Sequence, residues 1–222
     1  MTFTTVHLMR HGEVDNPEGV LYGRLPGYGL TPLGKDMAQI GADYLVAEGA
    51  DITHVIASPL LRAQQTALPT ALAYDLPIEV DARLVEAGSQ FEGRQINRNR
   101  WALAHPQNWH LYVRPNEPSW GEPYQQIVRR MSAAISRALH EAKGHEALLV
   151  SHQLPVVMVQ RFVKGQPLSH NPLRRQCSLA SMTSLTFEGD VLIATRYTEP
   201  AAQLLAVAND MTPGASQANV KR

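Results

Sequence analysis

Two arginines and two histidines in this sequence stand at or shortly after the ends of short apolar runs: Arg10, His11, Arg62 and His152. An arginine side chain binds two phosphoryl oxygens at once, so a pair of arginines matches a phosphate monoester, which carries nearly two negative charges. A neutral imidazole among these cations is a competent nucleophile toward phosphorus, and water can cleave the phosphoramidate that it forms. A second, protonated imidazole would stabilise the phosphoryl oxygens in the transition state. These residue types predict phosphoryl-transfer chemistry, with a carboxylic acid still needed to protonate the leaving oxygen.

The apolar runs before these residues have the pattern of buried parallel strands, at 3–9, 53–57 and 146–150. A fourth strand is predicted at 77–80. Each of the first three runs is followed by polar residues and then by a helical pattern, and this alternation indicates parallel strands joined by right-handed crossovers. Ligands bind beyond the carboxyl ends of such strands, so the topology alone brings the four side chains to one edge of the sheet.

Helix starts are predicted at 31–32 and 58–59, where Thr-Pro and Ser-Pro place a capping side chain before a proline at the first helical position. An amphipathic helix is predicted over 127–142, another helix after His152, and a hairpin over 181–198 around a Glu-Gly-Asp turn. The predicted fold class is α/β. It is a three-layer sandwich with a mostly parallel central sheet flanked by helices, plus a cap insertion and an edge hairpin.

The cap insertion is predicted at about 91–125, inside a single domain that spans 1–202. Residues 91–130 contain all three tryptophans and six arginines against three glutamates, a local charge of about +3. Interleaved prolines favour an irregular segment that folds over the edge of the sheet. The remaining stretch, 203–222, is rich in small and polar residues after one apolar cluster, and it is predicted to pack loosely as a C-terminal tail.

The 222 residues carry 20 Lys and Arg against 20 Asp and Glu, so no net field draws the chain to nucleic acid or to an anionic membrane. The single cysteine, Cys177, forms no internal disulfide and gives no zinc-ligand spacing. The sequence has no signal-like N-terminus and no apolar window of about 18 residues. We expect a cytoplasmic protein that binds a small phosphorylated substrate and neither nucleic acid nor membrane, with a homodimer left open.

Five ordered segments match motifs of one known family. They are MRHGEVDN at 9–16, SPLLRAQQTA at 58–67, LVEAGSQFEG at 84–93, GEPYQQIVRRM at 121–131 and VSH at 150–152. Together they resemble the histidine phosphatase superfamily, also called the phosphoglycerate mutase-like fold, in its branch with the Arg-His-Gly motif. The tripeptide alone would be weak support, but five motifs in order make chance agreement improbable.

The resemblance implies a histidine acid phosphatase-type enzyme that uses no metal and no other cofactor. It makes His11 the nucleophile, which becomes phosphohistidine, and Glu86 the proton donor, although Glu13 or Asp15 could supply the proton instead. It assigns four residues to the phosphoryl group: Arg10, Arg62, His152 and Asn16. His7 and His11 have a metal-like spacing, but they lie on a strand without nearby acidic or cysteine ligands.

Two residues depart from the family pattern. Gln153 stands where glycine usually follows the second histidine, and Pro123 replaces the common serine after Glu122. Gln153 either narrows the pocket or adds a hydrogen-bond donor. Three functions stay open: a phosphomonoester hydrolase, which we favour; a cofactor-dependent phosphoglycerate mutase, which shares every catalytic residue; and a catalytically silent protein that binds a phosphorylated ligand.

Overall fold

The computed structural model describes residues 2–95, 121–211 and 215–220. A six-stranded sheet forms the centre of this part of the chain, in the order β3-β2-β4-β1-β5-β6. Its strands are β1 (Phe3–Arg10), β2 (Ile52–Ala57), β3 (Ile78–Val80), β4 (Glu146–Ser151), β5 (Met182–Glu188) and β6 (Val191–Thr198). The strands from β3 to β1 are parallel, whereas β5 pairs antiparallel with β1 and β6 antiparallel with β5. The predicted sheet with an edge hairpin is confirmed.

Helices cover both faces of the sheet: α1 (Pro32–Ala47), α2 (Leu61–Ala73), α3 (Tyr124–Glu141) and α4 (Gln153–Val163). Side chains alternate along a strand, so Val6 and Leu8 of β1 pack with α3 and α4, whereas Met9 packs with α1 and α2. Each face has its own apolar core, which confirms the three-layer α/β sandwich. Among the described residues, no helix combines the length and the apolar character needed to span a bilayer.

The strand pairing brings three loops to one edge. β1, β4 and β2 are neighbours in parallel register, so their carboxyl ends lie side by side. The backbone N–H of His11 donates to the carbonyl of Ser151 at 3.1 Å, and that of Ser58 donates to the carbonyl of Val150 at 2.9 Å. The segments that follow the three strands therefore start in contact with one another, as the topology predicts.

The two predicted helix starts have different outcomes. Thr31 caps α1 as predicted, its hydroxyl accepting the N–H of Gly34 at 2.9 Å, and the proline that follows is the first helical residue. The prediction for Ser58 is wrong, because α2 begins only at Leu61 and has no side-chain cap. The Ser58 hydroxyl lies 2.8 Å from the ring of His152, so it interacts with the neighbouring strand end instead.

The C-terminal segment packs closely where a loose tail is predicted. Three short elements follow the hairpin: α5 (Ala202–Leu205), β7 (Asn209–Asp210) and β8 (Asn219–Val220). Leu205, Ala208 and Asp210 are almost fully buried. The prediction for 203–222 is therefore wrong over 203–211, because Leu205 and Ala208 join the core beside α1 and α2 and Asp210 meets a buried cation.

Most of the predicted cap insertion at 91–125 lies outside the described residues, which resume at Gly121. The undescribed stretch 96–120 contains the three tryptophans and three of the arginines, Arg98, Arg100 and Arg114. The cap therefore stays a prediction.

Candidate active site

Two histidine rings and two guanidinium groups meet beyond the carboxyl ends of β1, β2 and β4. The ring centroids of His11 and His152 lie 5.2 Å apart, with their planes inclined at 60°. Arg10, His11, Arg62 and His152 each expose at most 2% of their surface. Both arginines are close enough for their charges to lower the pKa of both histidines. The four side chains that the strand topology predicts at one edge are thus in one buried cluster.

Gly12 fixes the position of His11, because no larger residue fits there. A Cβ atom on Gly12 would stand 2.4 Å from the carbonyl oxygen of Gly34 in α1, far inside normal contact distance. The N–H of Gly12 donates to the Thr66 hydroxyl of α2 at 3.1 Å, and its carbonyl accepts from Nδ1 of His11 at 2.8 Å. The loop after β1 is therefore held against α1 and α2 at once.

This contact also fixes the tautomer of His11. A carbonyl oxygen only accepts hydrogen bonds, so Nδ1 carries the proton and Nε2 keeps its lone pair when the ring is neutral. Burial, followed by the charges of Arg62 and Arg10, holds the pKa of His11 well below its ordinary value of 6.5. His11 is therefore a neutral imidazole whose unprotonated Nε2 lies among cations.

Only one ring nitrogen of His152 has a hydrogen-bond partner among the described residues. Nε2 of His152 lies 2.8 Å from the Ser58 hydroxyl, whereas its Nδ1 is buried without a hydrogen-bond partner among the described residues. Burial, followed by the charge of Arg62, lowers the pKa of His152 well below 6.5. Burial and Arg62 oppose the expected protonation of the second histidine, which stays a prediction for a site that holds a phosphoryl group. Nδ1 of His152 is the ring atom left to contact an anionic ligand.

The Arg62 guanidinium has no carboxylate partner in the part of the chain that the structure describes. Its Nη2 donates to the carbonyl of Gly23 at 2.6 Å, and its Cζ lies 4.6 Å from the centroid of the Tyr22 ring. Its Nε makes no hydrogen bond within that part. Burial lowers the pKa of Arg62, yet a guanidinium stays protonated in proteins. Arg62 is a positioned cation with donors available to an anion.

Arg10 has a partner that the sequence analysis missed. Its Nη1 and Nη2 donate to the two carboxylate oxygens of Asp210 at 2.8 and 2.6 Å, and Nη1 also donates to the carbonyl of Cys177 at 2.6 Å. Burial alone would lower the pKa of Arg10, but the charge and hydrogen bonds of Asp210 outweigh it and raise that pKa. The available signal was an acidic residue just after the apolar cluster that begins at Leu204.

The surroundings of Glu86 favour the protonated state that a proton donor needs. Burial raises the pKa of Glu86, and the opposing effects of the Ala87 N–H and of the Arg62 charge do not cancel the rise. One carboxylate oxygen accepts the N–H of Ala87 at 2.8 Å. Glu86 is the predicted acid whose environment favours the protonated form.

An ion pair between Glu122 and Arg130 holds the backbone next to Glu86. Nε and Nη2 of Arg130 donate to the two carboxylate oxygens of Glu122 at 2.8 and 3.0 Å. Nη1 of Arg130 donates to the carbonyls of Arg83 and Val85, both at 2.6 Å. The segment with a glutamate and an arginine eight residues apart therefore positions the acid.

The other predicted acids and Asn16 have different surroundings. The Glu13 carboxylate accepts the Thr31 hydroxyl at 3.0 Å and the N–H of Asn209 at 2.7 Å, so it ties the loop after β1 to α1 and to the C-terminal segment. Asp15 is exposed. The carboxamide of Asn16 binds both backbone groups of Val20, at 2.8 and 3.1 Å. Its contact with phosphate stays a prediction.

One group of side chains in the described residues could converge on a metal ion: His54, Glu79 and Glu141. Arg137 already forms ion pairs with both glutamates, so their negative charge is compensated. The group spans β2, β3 and the end of α3, and it includes none of the four clustered residues. The chemistry of the histidine and arginine cluster is that of an anion site, since its members are cations and imidazoles.

An α/β sandwich with paired imidazoles and guanidinium groups at its carboxyl edge defines a phosphatase-like class of protein. A sequence model of the histidine phosphatase superfamily (branch 1) matches residues 6–200, and the chain belongs to that superfamily.

Two relatives and one solved structure are similar to this chain over most of their length. The Mycobacterium tuberculosis protein Rv0525 is 48% identical over 199 residues, which cover 90% of this chain and 98% of that protein. The "Probable phosphoglycerate mutase GpmB" of Yersinia enterocolitica is 31% identical over 194 residues, covering 79% and 82%. The solved structure of the alpha-ribazole phosphatase from Shigella flexneri shares the fold, with a TM-score of 0.69, 24% identity and coverage of 88% and 96%.

Proposed function

We propose that the protein is a metal-independent phosphomonoester hydrolase of the histidine acid phosphatase type, acting through a phosphohistidine intermediate on a small phosphorylated metabolite. The observation that carries the proposal is the His11 ring, whose Nδ1 donates to Gly12 and whose Nε2 is unprotonated among buried cations. Membership of the superfamily supports this reaction class. We place the enzyme in the cytoplasm, as a monomer or a homodimer.

In the first step, the Nε2 lone pair of His11 attacks phosphorus while the ester P–O bond breaks. Glu86 gives its proton to the leaving oxygen, so an alcohol departs rather than an alkoxide. Arg62, Nδ1–H of His152 and the Arg10 guanidinium stabilise the oxygens of the transferring group. The products of this step are the alcohol and a phosphoramidate on His11.

In the second step, water attacks the phosphorus of the phosphoramidate. The Glu86 carboxylate takes a proton from that water, the P–N electron pair returns to Nε2 of His11, and inorganic phosphate leaves. The site is then restored, with Glu86 protonated and His11 neutral.

The nucleophile is tested by replacing it. His11→Ala should abolish turnover of p-nitrophenyl phosphate and also the trapping of an acid-labile, alkali-stable phosphoenzyme. His140→Ala is the matched control, because His140 is an exposed histidine of α3, and it should retain both. Turnover that survives in His11→Ala would overturn the proposal. A wild-type protein that binds phosphate but turns over no ester would favour the silent binding protein.

Metal independence is tested separately. Every step above uses an arginine, a histidine or a glutamate of this chain, so EDTA should leave turnover of p-nitrophenyl phosphate unchanged. Loss of activity on chelation, restored by a divalent ion, would contradict this part of the proposal.

A phosphoglycerate mutase is the second candidate, favoured by the 31% identity to the Yersinia enterocolitica protein. A mutase must keep its phosphohistidine from water while an intermediate turns over in the site. The enzyme is mixed with 3-phosphoglycerate and a trace of 2,3-bisphosphoglycerate, and both 2-phosphoglycerate and free phosphate are followed. Isomer that forms much faster than phosphate would refute the hydrolase, whereas phosphate release from other monoesters with negligible isomerisation supports it.

A further inference from the structure

Arg175 is a third guanidinium near the cluster, and none of the sequence motifs includes it. It follows a short 3-10 turn (Pro172–Arg174) between α4 and β5. Its Nε donates to Nε2 of His170 at 2.9 Å, and its Nη1 donates to the carboxamide oxygen of Gln153 at 3.2 Å. Nδ1 of His170 donates in turn to the carbonyl of Leu168 at 2.7 Å, which makes Nε2 the acceptor for Arg175. Arg175 is thus held by two neutral groups.

Arg175 has no carboxylate within ion-pair distance among the described residues, and Glu86 acts on its charge only from further away. Arg175 forms no ion pair there, and its Nη2 makes no hydrogen bond with a described residue. The side chain is partly buried, and burial lowers the pKa of its guanidinium. A cation that is held in place without a counter-charge favours an anionic ligand, which a guanidinium fork binds bidentately.

Arg175 lies next to the cluster, because its guanidinium contacts the residue after His152 and the carbonyl of Cys177, two residues further along the chain, accepts a hydrogen bond from Arg10. Gln153 directly follows His152, so it starts α4 at the rim of the phosphoryl site. The ring of His170 lies 5.7 Å from that of Tyr124, the first residue of α3. α3 also carries the arginine that holds the backbone before Glu86, and the charge of Glu86 acts on Arg175.

We propose that Arg175, positioned by Gln153 and His170, binds a second anionic group on the leaving alcohol of the substrate, and so selects phosphomonoesters whose alcohol is itself an acid. This inference rests on the proposed function, because it assumes that the ester oxygen lies beside Glu86. It also gives a purpose to Gln153, which replaces the family's usual glycine and supplies the carboxamide that holds the guanidinium.

The test compares leaving groups that differ in charge. Arg175→Ala should raise KM for 3-phosphoglycerate roughly 10- to 100-fold, the equivalent of one charge-assisted contact. It should change KM for glycerol 3-phosphate, which lacks the carboxylate, less than about threefold. Fructose 1,6-bisphosphate is the second charged substrate, and the anion on its leaving alcohol is a phosphate instead of a carboxylate. Arg175→Lys keeps the charge without the fork and should lie between, and Arg174→Ala, at an exposed neighbour, is the matched control.

Failure of this inference is distinguishable from failure of the proposed function. Equal loss on charged and uncharged alcohols, with normal turnover, would overturn the role of Arg175 and leave the hydrolase intact. If no ester is hydrolysed, isothermal titration calorimetry measures the affinity for 2-phosphoglycolate, which carries a carboxylate, and for methyl phosphate, which does not. Arg175→Ala should then weaken 2-phosphoglycolate roughly tenfold and leave methyl phosphate unchanged. Equal affinities for both in the wild type would also overturn it.

Discussion

The reactive groups of the site are set in opposite protonation states by their surroundings. Burial and the charge of Arg62 favour the neutral form of His11. The Gly12 carbonyl accepts the hydrogen bond from the protonated Nδ1 of His11, so the free lone pair of the ring is on Nε2. Burial raises the pKa of Glu86, which favours its protonated form. Each unit of pKa shift corresponds to about 1.4 kcal/mol between two protonation states. These shifts of opposite sign favour a deprotonated nucleophile and a protonated acid at the same pH.

Replacing Glu86 should affect esters according to their leaving group. Glu86→Gln removes the proton donor of the first step, so kcat/KM for an alkyl ester such as glycerol 3-phosphate should fall roughly 10²- to 10⁴-fold. A p-nitrophenolate leaves without a proton, so kcat/KM for p-nitrophenyl phosphate, which does not include the later hydrolysis of phosphohistidine, should fall less than about tenfold. Glu18→Gln, at an exposed glutamate, should change neither rate. Equal losses of kcat/KM on both esters in steady-state kinetics would contradict the role of Glu86 as the acid.

The pH profile follows from the same two shifts. His11 must be deprotonated, so activity rises with pH through a pKa that lies below 6.5. Glu86 must be protonated, so alkyl-ester activity falls with rising pH through a pKa that lies above 4.5. For alkyl esters, a plot of kcat/KM against pH should therefore be bell-shaped, with its maximum at acidic pH. Glu86→Gln should lose the descending limb, and a limb that persists in this variant would assign it to another group.

At the scale of structural elements, the C-terminal segment is part of the site. Asp210 neutralises Arg10 through two hydrogen bonds, and the neighbouring N–H of Asn209 binds the Glu13 carboxylate. The loop after β1, which carries His11, is therefore clamped between α1 on one side and β7 on the other. Of the charged groups in the cluster, Arg10 is balanced inside the protein, whereas Arg62 is left for the ligand.

Removing this partner should damage both stability and anion binding. Asp210→Ala leaves the Arg10 charge buried and unpaired, which should lower the free energy of unfolding by about 3 to 5 kcal/mol. It should also weaken inhibition by inorganic phosphate, because Arg10 is no longer held in place. Urea unfolding and the inhibition constant measure the two effects, with Asp190→Ala in the exposed hairpin turn as control. Tighter phosphate binding would instead show that Asp210 competes with the ligand.

Sequence patterns within a few residues predicted the helices and strands. They did not predict hydrogen bonds between residues that are far apart in the chain. Thr31 and its proline cap α1 as predicted, since the capped N–H lies three residues away. Ser58 carries the same local signal, but its hydroxyl interacts with His152, 94 residues along the chain. Asp210 lies 200 residues from Arg10, in a stretch without helical or strand periodicity. Such pairings depend on tertiary packing and leave no trace in spacing.

At the scale of the whole molecule, zero net charge conceals a local excess of positive charge. Arg10 and Asp210 cancel, whereas Arg62 and Arg175 have no carboxylate partner among the residues described. Within the described residues, the cluster is therefore where we expect a phosphate dianion to be attracted. A protein of zero net charge is expected to have no general affinity for polyanions.

Inorganic phosphate should therefore stabilise the folded protein. At 100 times its dissociation constant, the ligand should add about 2.7 kcal/mol to the free energy of unfolding. For a chain of this size that corresponds to a rise in Tm of roughly 5 to 10 °C. Differential scanning calorimetry measures the shift, and chloride at equal ionic strength is the control. Arg62→Ala should lose most of the shift, and a full shift in that variant would place the anion elsewhere.

The pairing of Arg10 with Asp210 has a consequence for biosynthesis. The ribosome makes Arg10 first and Asp210 two hundred residues later, a delay of roughly 10 to 40 seconds at ordinary rates of translation. In that interval β1 cannot bury its last residue without enclosing a charge that lacks a counter-ion, which costs several kcal/mol. We therefore expect the end of the amino-terminal strand to become buried only after the carboxyl-terminal segment has left the ribosome, so that the site is completed after synthesis of the chain.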